Sequence, residues 1–531
     1  MKREKKVRKK IRKALCVLIA MTFTASGMVA CGGSENKGKD VVQLYYWNAG
    51  YGIEWLNETV NNFNNNTAQY KVEIEESANQ TTVTSTLMSG ETNPYDLYIT
   101  GLSSWSGTEP DMANLNDLLD SKYGTESKTL REKMNSYALR MREHNGEVRS
   151  LGISDAAVGL FYNAEMFAKY NLKEPKTTDE LEDLAWEIQG KSDMKTSDGT
   201  KIAPFAHFKS SGNGYWKYVY EPWAVQYMGV DEYVNNFVKL KNANGENQKD
   251  VLYGNTATGA DNTANDARYK VMQALERMLT KDTVHARSNE DSHTTMQTAF
   301  LSGQAAMMSS GSWLKNEMSV EDGSLNFRLM KTPVLSAITK TFEDKNMTDT
   351  ELSAIIGAID EEKSYEETKT SLNMPELSEN DYNRIYEARG ITYGSGANGG
   401  THVFIPKYSD AKEAAKEFLR YLYSDEGIAI WMKYQHSPSW ADFDDPSKAD
   451  YSTWDEWDKS VSRVREQQTF SITGTLDQSR VFSENGRDMF VNVSIITKLT
   501  VNNPSDKLTA DGIWTNMRKI IDDNWSTWMG A

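Results

Sequence analysis

The chain has 531 residues, 39% of them hydrophobic, 11% aromatic and 25% charged; at roughly 100–200 residues per domain that is material for two or three folded domains, not for a disordered chain. Its formal charge is −16, and since the first 30 residues carry nine bases and one acid, the remainder stands at −24, which excludes a nucleic-acid binder built on clustered Lys and Arg. The cysteines are Cys16 and Cys31, so a disulfide framework or thiolate zinc site in the body of the protein is excluded, and no metal or cofactor is expected.

The amino terminus reads as a sorting signal. Nine bases between Lys2 and Lys13 precede an apolar stretch from Ala14 to about Phe23 and then small residues up to Met28-Val29-Ala30-Cys31, the layout of a secretory signal peptide over residues 1–30. The apolar stretch is shorter than the ~20 residues a membrane-spanning helix needs. The position of Cys31 resembles the lipobox of bacterial lipoproteins, which implies a lipid on Cys31 and anchorage to the outer side of the cell membrane. Residues 31–40 form a Gly/Ser/Asn/Lys tether.

From there the chain alternates strands and helices. Val41–Trp47 predicts a strand, Ile53–Phe63 a helix, Tyr70–Glu75 a strand, Thr81–Met88 a helix and Tyr95–Ile99 a strand closed by Gly101. The grammar restarts with strands over Val148–Ile153 and Val158–Tyr162. A helix follows from Thr177, where Glu180 completes a capping box and Leu181, Leu184, Ala185 and Ile188 supply an apolar face. Ile202–Ala206 predicts a strand, Ala264–Leu279 a helix, Met296–Phe300 a helix face stopped by Gly303, and Ala305–Met308 a buried strand running to Gly311. Residues 341–380, with eleven acids against three bases, read as an acidic surface insertion, helical around Thr350–Ile359. Ser409 is expected to cap a helix reaching Tyr423, its apolar stripe running from Ala411 to Leu422, with Glu413–Lys416 and Glu417–Arg420 on the wet face. Such alternation predicts an α/β fold with parallel βαβ units.

Three blocks carry a family pattern. Val158–Phe167 followed by Pro175–Leu181, then Ala299–Met307 leading to Gly311-Ser312-Trp313, then Lys412–Ser424 resemble, in order, the sequence blocks of the family 1 bacterial extracellular solute-binding proteins. The resemblance implies a two-lobed α/β fold of the periplasmic-binding-protein type, with hinge strands and an interlobe cleft. On that pattern lobe 1 is residues 41–153 with a return over about 400–435, lobe 2 is 154–399 including the insertion, and 436–531 is a helical addition to lobe 2. It also implies a monomer that hands a carbohydrate, often an oligosaccharide, to the permease subunits of an ABC importer.

A sugar presents flat C–H faces and a rim of hydroxyls, so its site needs aromatic rings and carboxylates or amides. Rings in loops after strands are the candidates, because ligands of open α/β sheets lie at the strands' carboxyl ends. Trp47 ends the first strand, Trp105 follows the third, Asp155 sits at the expected crossover and Trp313 follows the Met-rich strand. The stretch Tyr215–Trp223 contributes Trp216, Glu221 and Trp223; it resembles a second-lobe segment of the family in which a Glu-Pro-aromatic triplet faces the sugar. Trp440 is a candidate rim residue. For each tryptophan the bland alternative is a core ring, and for Asp155 and Glu221 a cap or solvated turn carboxylate. Trp454, Trp457, Trp514, Trp525 and Trp528 read as packing residues.

No catalytic residue is nominated. The six His residues show no HExxH spacing and no Gly-x-Ser-x-Gly elbow occurs. Gly33–Asp40 lacks the Ser or Thr of a phosphate loop, and Gly190-Lys191-Ser192 has Ala185 where the first glycine belongs. The expected function is therefore binding and delivery of a carbohydrate without turnover. A surface enzyme acting on polysaccharide through paired carboxylates, and a ligand sensor for a membrane signalling protein, remain open alternatives at the level of sequence.

Overall fold

The computed structural model describes residues 40–531 apart from 49–50, 78–82, 102–107, 109, 135, 141, 154–156, 209–214, 242–248, 253–262, 319–325, 395–400, 473–478, 484, 486, 502, 504 and 531. Its main strands are β1 (Asp40–Trp47), β2 (Tyr70–Ser77), β3 (Leu97–Thr100), β4 (Leu151–Gly152), β5 (Val158–Asn163), β6 (Ala203–Ala206), β7 (Ala305–Gly311), β8 (Phe327–Leu329), β9 (Ile391–Tyr393), β10 (His402–Phe404) and β11 (Phe470–Ile472). The helices that matter below are α1 (Glu54–Asn66), α2 (Thr178–Gly190), α3 (Lys217–Met228), α4 (Asp349–Asp360), α5 (Tyr365–Ser371), α6 (Glu379–Arg389), α7 (Lys412–Leu422), α8 (Asp425–Gln435), α9 (Glu456–Glu466) and α10 (Ala510–Met529).

The first sheet has the order β2-β1-β3-β10-β4. β1 runs parallel to both neighbours, and β10 is antiparallel to β3 and β4. The period-two alternation of β1 divides its side chains between two faces. Val42, Leu44 and Tyr46 enter a core with Trp55, Leu56, Val60 and Phe63 of α1 and Phe418 and Leu419 of α7. Tyr45 goes to the opposite face with Tyr98 and Phe404, and half-buried Trp47 packs against that cluster. The predicted strand over Val148–Ile153 contributes only Leu151–Gly152 to this sheet, while Glu147–Val148 pairs with Glu143–His144 in a short hairpin.

The second sheet has the order β8-β5-β7-β6, with β5 antiparallel to β7 and β8, and β6 parallel to β7. Every residue of β7 is buried because both faces are covered, as a run of small and apolar residues requires. Met307 joins a large core with α2, α3 and α10, and Met308 faces a smaller one with Phe161, Phe300 and Trp457 of α9. Each fully buried Leu, Met or Phe of these cores contributes about 1.5–3 kcal/mol.

The result is a two-lobed α/β fold, as expected. The chain passes between the sheets from β4 to β5, returns from β9 to β10, and passes again from Trp454 into α9. A bridge between Ala157 and Gly394 joins two of these crossings, and the Ser312 amide donates to the Ala157 carbonyl at 2.8 Å. Trp440, Ala441, Phe443 and Trp454 pack in the core of the first sheet, so the segment just after α8 lies with the first sheet and only later residues with the second.

Local chemistry departs from the sequence reading at two caps. Thr177 accepts from the Glu180 amide, but the Glu180 carboxylate takes the Lys176 amide at 2.6 Å instead of closing a capping box, and the Thr177 hydroxyl donates to Asp349. Ser409 does not cap α7 directly; it accepts from the Ala411 amide and donates to Asp96, and the helix starts at Lys412. Both intrahelical ion pairs of α7 form, although Lys416 is buried because it also reaches Asp117.

The acidic insertion is more than a solvated surface. Helices α4, α5 and α6 enclose their own core of Leu352, Ile355, Ile356, Ile359, Leu377 and Ile385, closed by Phe342 and Val334. Asp360 docks it to the second lobe through Lys331 at 2.9 Å and, within the insertion, takes Arg389 of α6 at 3.0 and 2.7 Å. Burial opposes ionisation of Asp360, but Arg389 and Lys331 prevail and its pKa is lowered. Asp360→Asn leaves two nearly buried cations short of their counter-charge and is expected to cost about 2–4 kcal/mol, read as a fall in the urea midpoint. This contribution is present above the ordinary carboxylate range and disappears as pH falls through the lowered native value.

Candidate functional site

The residues that can present ring faces to a ligand gather where β6, β7 and β9 end. β6 runs into His207 and Phe208, β7 into Trp313, β9 ends on Tyr393, and Tyr215 leads into α3. Tyr215 and Tyr218 stack at 5.1 Å, Trp313 meets both edge-on at 5.7 and 6.2 Å, Tyr393 lies 4.9 Å from Tyr218, and Phe208 closes the panel against Tyr215 at 4.9 Å. Tyr215, Tyr218, Trp313 and Tyr393 are all half-buried, so each gives one side to the protein and keeps surface toward solvent. Trp313 folds back over Gly311, where an added Cβ would lie 2.2 Å from the indole; a side chain there would displace the ring. The Lys217 ammonium stands 5.7 Å from the Tyr218 and Tyr393 ring centres, a cation–π arrangement at the panel's edge.

Behind the panel α3 buries an acid. Glu221 is 4% exposed and accepts from the Met489 amide, while its Oε1 has no partner among the described residues. Burial, and then the neighbouring Asp488, raise its pKa; Lys217 and the Met489 amide oppose the rise. Asp488 is raised by burial as well, against the Asn492 and Phe490 amides at 2.6 and 3.0 Å and Lys217. Burial and the Asp488 charge together hold the Glu221 carboxyl protonated well above the ordinary carboxylate range. The Tyr393 phenol is likewise pushed up by burial and then by Glu221.

The predicted site residues divide into groups. Trp313 is in the panel and Glu221 lies directly behind it. Trp216 and Trp223 are fully buried, Trp216 edge-on to Phe205 at 5.2 Å and Trp223 donating to the Pro333 carbonyl at 3.0 Å; neither exposes a face to a sugar, and this corrects their reading as ligand platforms. The cause is position along the segment: α3 is buried on every side from Val219 onward, whereas Tyr215 and Tyr218 stand at its half-buried start. Trp440 is also buried, against Gly152 at a crossing and under Arg142 at 5.7 Å, its amide donating to the Ile153 carbonyl; it packs a crossing and is no rim residue. Trp47 remains half-buried in the first lobe, outside the panel's ring contacts. Trp105, Asp155 and Cys31 lie outside the described residues. Sequence reasoning missed Tyr215, Tyr218, Tyr393 and Asp488. The first two lie in the aromatic stretch that the sequence singles out, where nothing local separates them from Trp216, whereas Tyr393 and Asp488 are brought in from far along the chain with no local signal.

Comparison with known proteins agrees with this architecture. The family model described as bacterial extracellular solute-binding protein matches residues 49–429. The chain belongs to that family. Among solved structures, it is similar to a family 1 extracellular solute-binding protein from Bifidobacterium longum subsp. infantis at 17% identity, covering 92% of this chain and 100% of that one with a TM-score of 0.53. RafE from Streptococcus pneumoniae gives 15%, 92%, 100% and 0.56 for the same measures, and has been solved with raffinose. The maltotriose-binding protein of Thermus thermophilus, bound with maltotriose, gives 15%, 91%, 100% and 0.50. No curated protein matches the sequence. Among the described residues no helix is long and apolar enough to cross a membrane, and no group of three His, Cys, Asp or Glu is placed to hold a metal ion.

The acid pair yields a sign that can be measured. Because the native state holds its proton more tightly than the unfolded chain, stability falls as pH rises from the ordinary carboxylate range toward the raised native value. Glu221→Gln, which keeps the acceptor for the Met489 amide and cannot ionise, is expected to flatten that fall and to raise the melting midpoint at about pH 8 relative to the parent, checked by thermal melts across pH.

Proposed function

We propose that this solute-binding protein captures a carbohydrate, most naturally an oligosaccharide, between its lobes and delivers it unaltered to an ABC importer, held at the outer face of the cell membrane by a lipid on Cys31. The observation that carries this reading is the panel of Tyr215, Tyr218, Trp313 and Tyr393 at the strand ends, four half-buried rings in mutual contact. Flat sugar faces stack on such rings, each platform being worth about 0.5–1.5 kcal/mol beyond its buried area by analogy with ring–ring contacts. Proteins of similar structure support the class of ligand: RafE is known in complex with raffinose, the Thermus protein bound with maltotriose, and another neighbour is a chitin oligosaccharide binding protein.

In this reading Trp313 is the central platform and Lys217 the polar handle beside it, with Trp47 a candidate contribution from the first lobe. Asp155, at the crossing from β4 to β5, and Trp105, after β3, are proposed contacts from sequence alone. Ligand that touches both lobes favours the arrangement in which they are closed, and the importer's permease subunits recognise that state. Micromolar binding, about −8 kcal/mol, is within reach of two or three platforms and a few charged hydrogen bonds.

A thermal-shift screen of purified protein against mono- and oligosaccharides tests this directly. A true ligand at about 100 times its dissociation constant adds ~2.7 kcal/mol of stability and is recovered chemically intact. Trp313→Ala is expected to weaken binding about tenfold or more, measured by titration calorimetry, while the fold stays intact because the ring is half-exposed. No shift with any saccharide, or a shortened glycan recovered after incubation, would overturn the proposal.

A further inference from the structure

We propose that Lys217 is an anion handle and that the saccharide this protein takes carries a carboxylate beside a stacked ring, as a uronic acid does. The inference deepens the carbohydrate reading and rests on it. Lys217 is the first residue of α3, and its half-buried side chain holds the ammonium 5.7 Å from the ring centres of both Tyr218 and Tyr393. Among the described residues no carboxylate forms an ion pair with it. The buried lysines are treated differently: Lys133 meets Glu126 and Asp425, Lys331 meets Asp360, and Lys416 meets Asp117 and Glu413.

The local setting offers Lys217 two acids, and it pairs with neither. Glu221 lies four residues on, the spacing at which a lysine and a glutamate can meet across one helical turn, yet its carboxyl accepts from the Met489 amide instead. Asp488 accepts from the Asn492 and Phe490 amides and also feels the charge of Arg487. Burial pushes both carboxyls toward their neutral forms, so they return less than full counter-charge to the ammonium. The first turn of α3 contains no acidic residue, although the amino end of a helix carries partial positive charge and favours one. A lysine there has the wrong sign for the helix and stays uncompensated. Positive charge left open at the rim of an aromatic panel breaks a local rule that a ligand's anion would satisfy.

The position of the ammonium selects the kind of ligand. A pyranose lying flat on one of these rings projects its equatorial substituents sideways, parallel to the platform and past its edge. A carboxylate on the exocyclic carbon therefore leaves the stack at the rim, the part of the panel where Lys217 stands, whereas a neutral sugar offers only a hydroxyl there. Hydrogen bonds in which a partner is ionised are roughly twice as strong as neutral ones. The net negative charge of the chain repels an anion at long range, so the preference is expected in slower dissociation, not in faster association.

Titration calorimetry of the purified protein against dimers and trimers of galacturonic, glucuronic and mannuronic acid, each beside its carboxyl-reduced neutral counterpart, tests the inference. At least one acid is expected to bind about tenfold more tightly than its reduced counterpart. In Lys217→Met, which keeps much of the side chain's length and removes its charge, that ratio is expected to fall to about twofold or less, with folding checked by circular dichroism. Lys217→Arg keeps the charge and should retain the preference. Equal affinity for every acid and its reduced form, or an undiminished preference in Lys217→Met, would overturn the inference; neutral saccharides that still bind would leave the carbohydrate reading standing. A sulfated disaccharide that outbinds every uronate would overturn the assignment of the anion to a carboxylate. Failure of every saccharide to bind, acidic or neutral, would remove the carbohydrate reading and this inference with it.

Discussion

Every residue of α3 from Val219 to Met228 is buried, so Tyr220 and Trp223, with Trp216 just before the helix, fix it in the core of the second lobe, while Tyr215 and Tyr218 at its start are left half-buried at the strand ends. The panel depends on this division. Its rings hold their places because the helix beneath them cannot rotate without exposing some of the largest buried side chains in the molecule. Glu221, on the same helix, is carried into the interior by the same force and meets Asp488 there. A single burial requirement thereby accounts for which aromatics are available to a ligand, which are not, and why an acid with raised pKa stands behind them.

Much of the fold was legible from period and punctuation. The strands at β1, β2, β5 and β7 and the helices at α2 and α7 follow directly from alternation of two or from apolar stripes, and the sequence blocks Val158–Phe167 with Pro175–Leu181, Ala299–Met307 with Gly311–Trp313, and Lys412–Ser424 pointed to the two-lobed architecture. The insertion was less transparent, because its surface charge is obvious in composition whereas its core, made of Ile355, Ile356, Ile359 and Ile385 on different helices, becomes visible only when α4 and α6 are brought together. The site was only partly readable. Strand-end position correctly singles out Trp313 as a half-buried ring, but aromatic density alone cannot separate Trp216 from Tyr218, and the partnership of Tyr218 with Tyr393 joins residues separated by the whole insertion.

The crossings between the lobes are built differently from either core. Gly152 lets the Trp440 indole approach to a distance that no side chain would permit, 2.6 Å from the place a Cβ would occupy, and the Tyr423 hydroxyl donates to the Gly152 carbonyl at 2.7 Å. Beside them Arg142 reaches Ser150 at 3.0 Å and the ring of His402, whose pKa burial and then the guanidinium hold well below the ordinary value. His402 therefore stays neutral and accepts, whereas His436, at the third crossing, faces a carboxylate.

The helical insertion meets the rest of the second lobe largely through polar contacts. Asp349 receives the Thr177 hydroxyl, Ser353 bonds Glu180, Arg384 donates to the Tyr227 carbonyl, Asp360 receives Lys331, and Arg389 donates to the Thr332 carbonyl. Its apolar residues are mostly satisfied among themselves. Val334 and Ile338, which lie outside the three helices, complete that core, so the insertion has an interior of its own and is still continuous with the lobe that carries the panel.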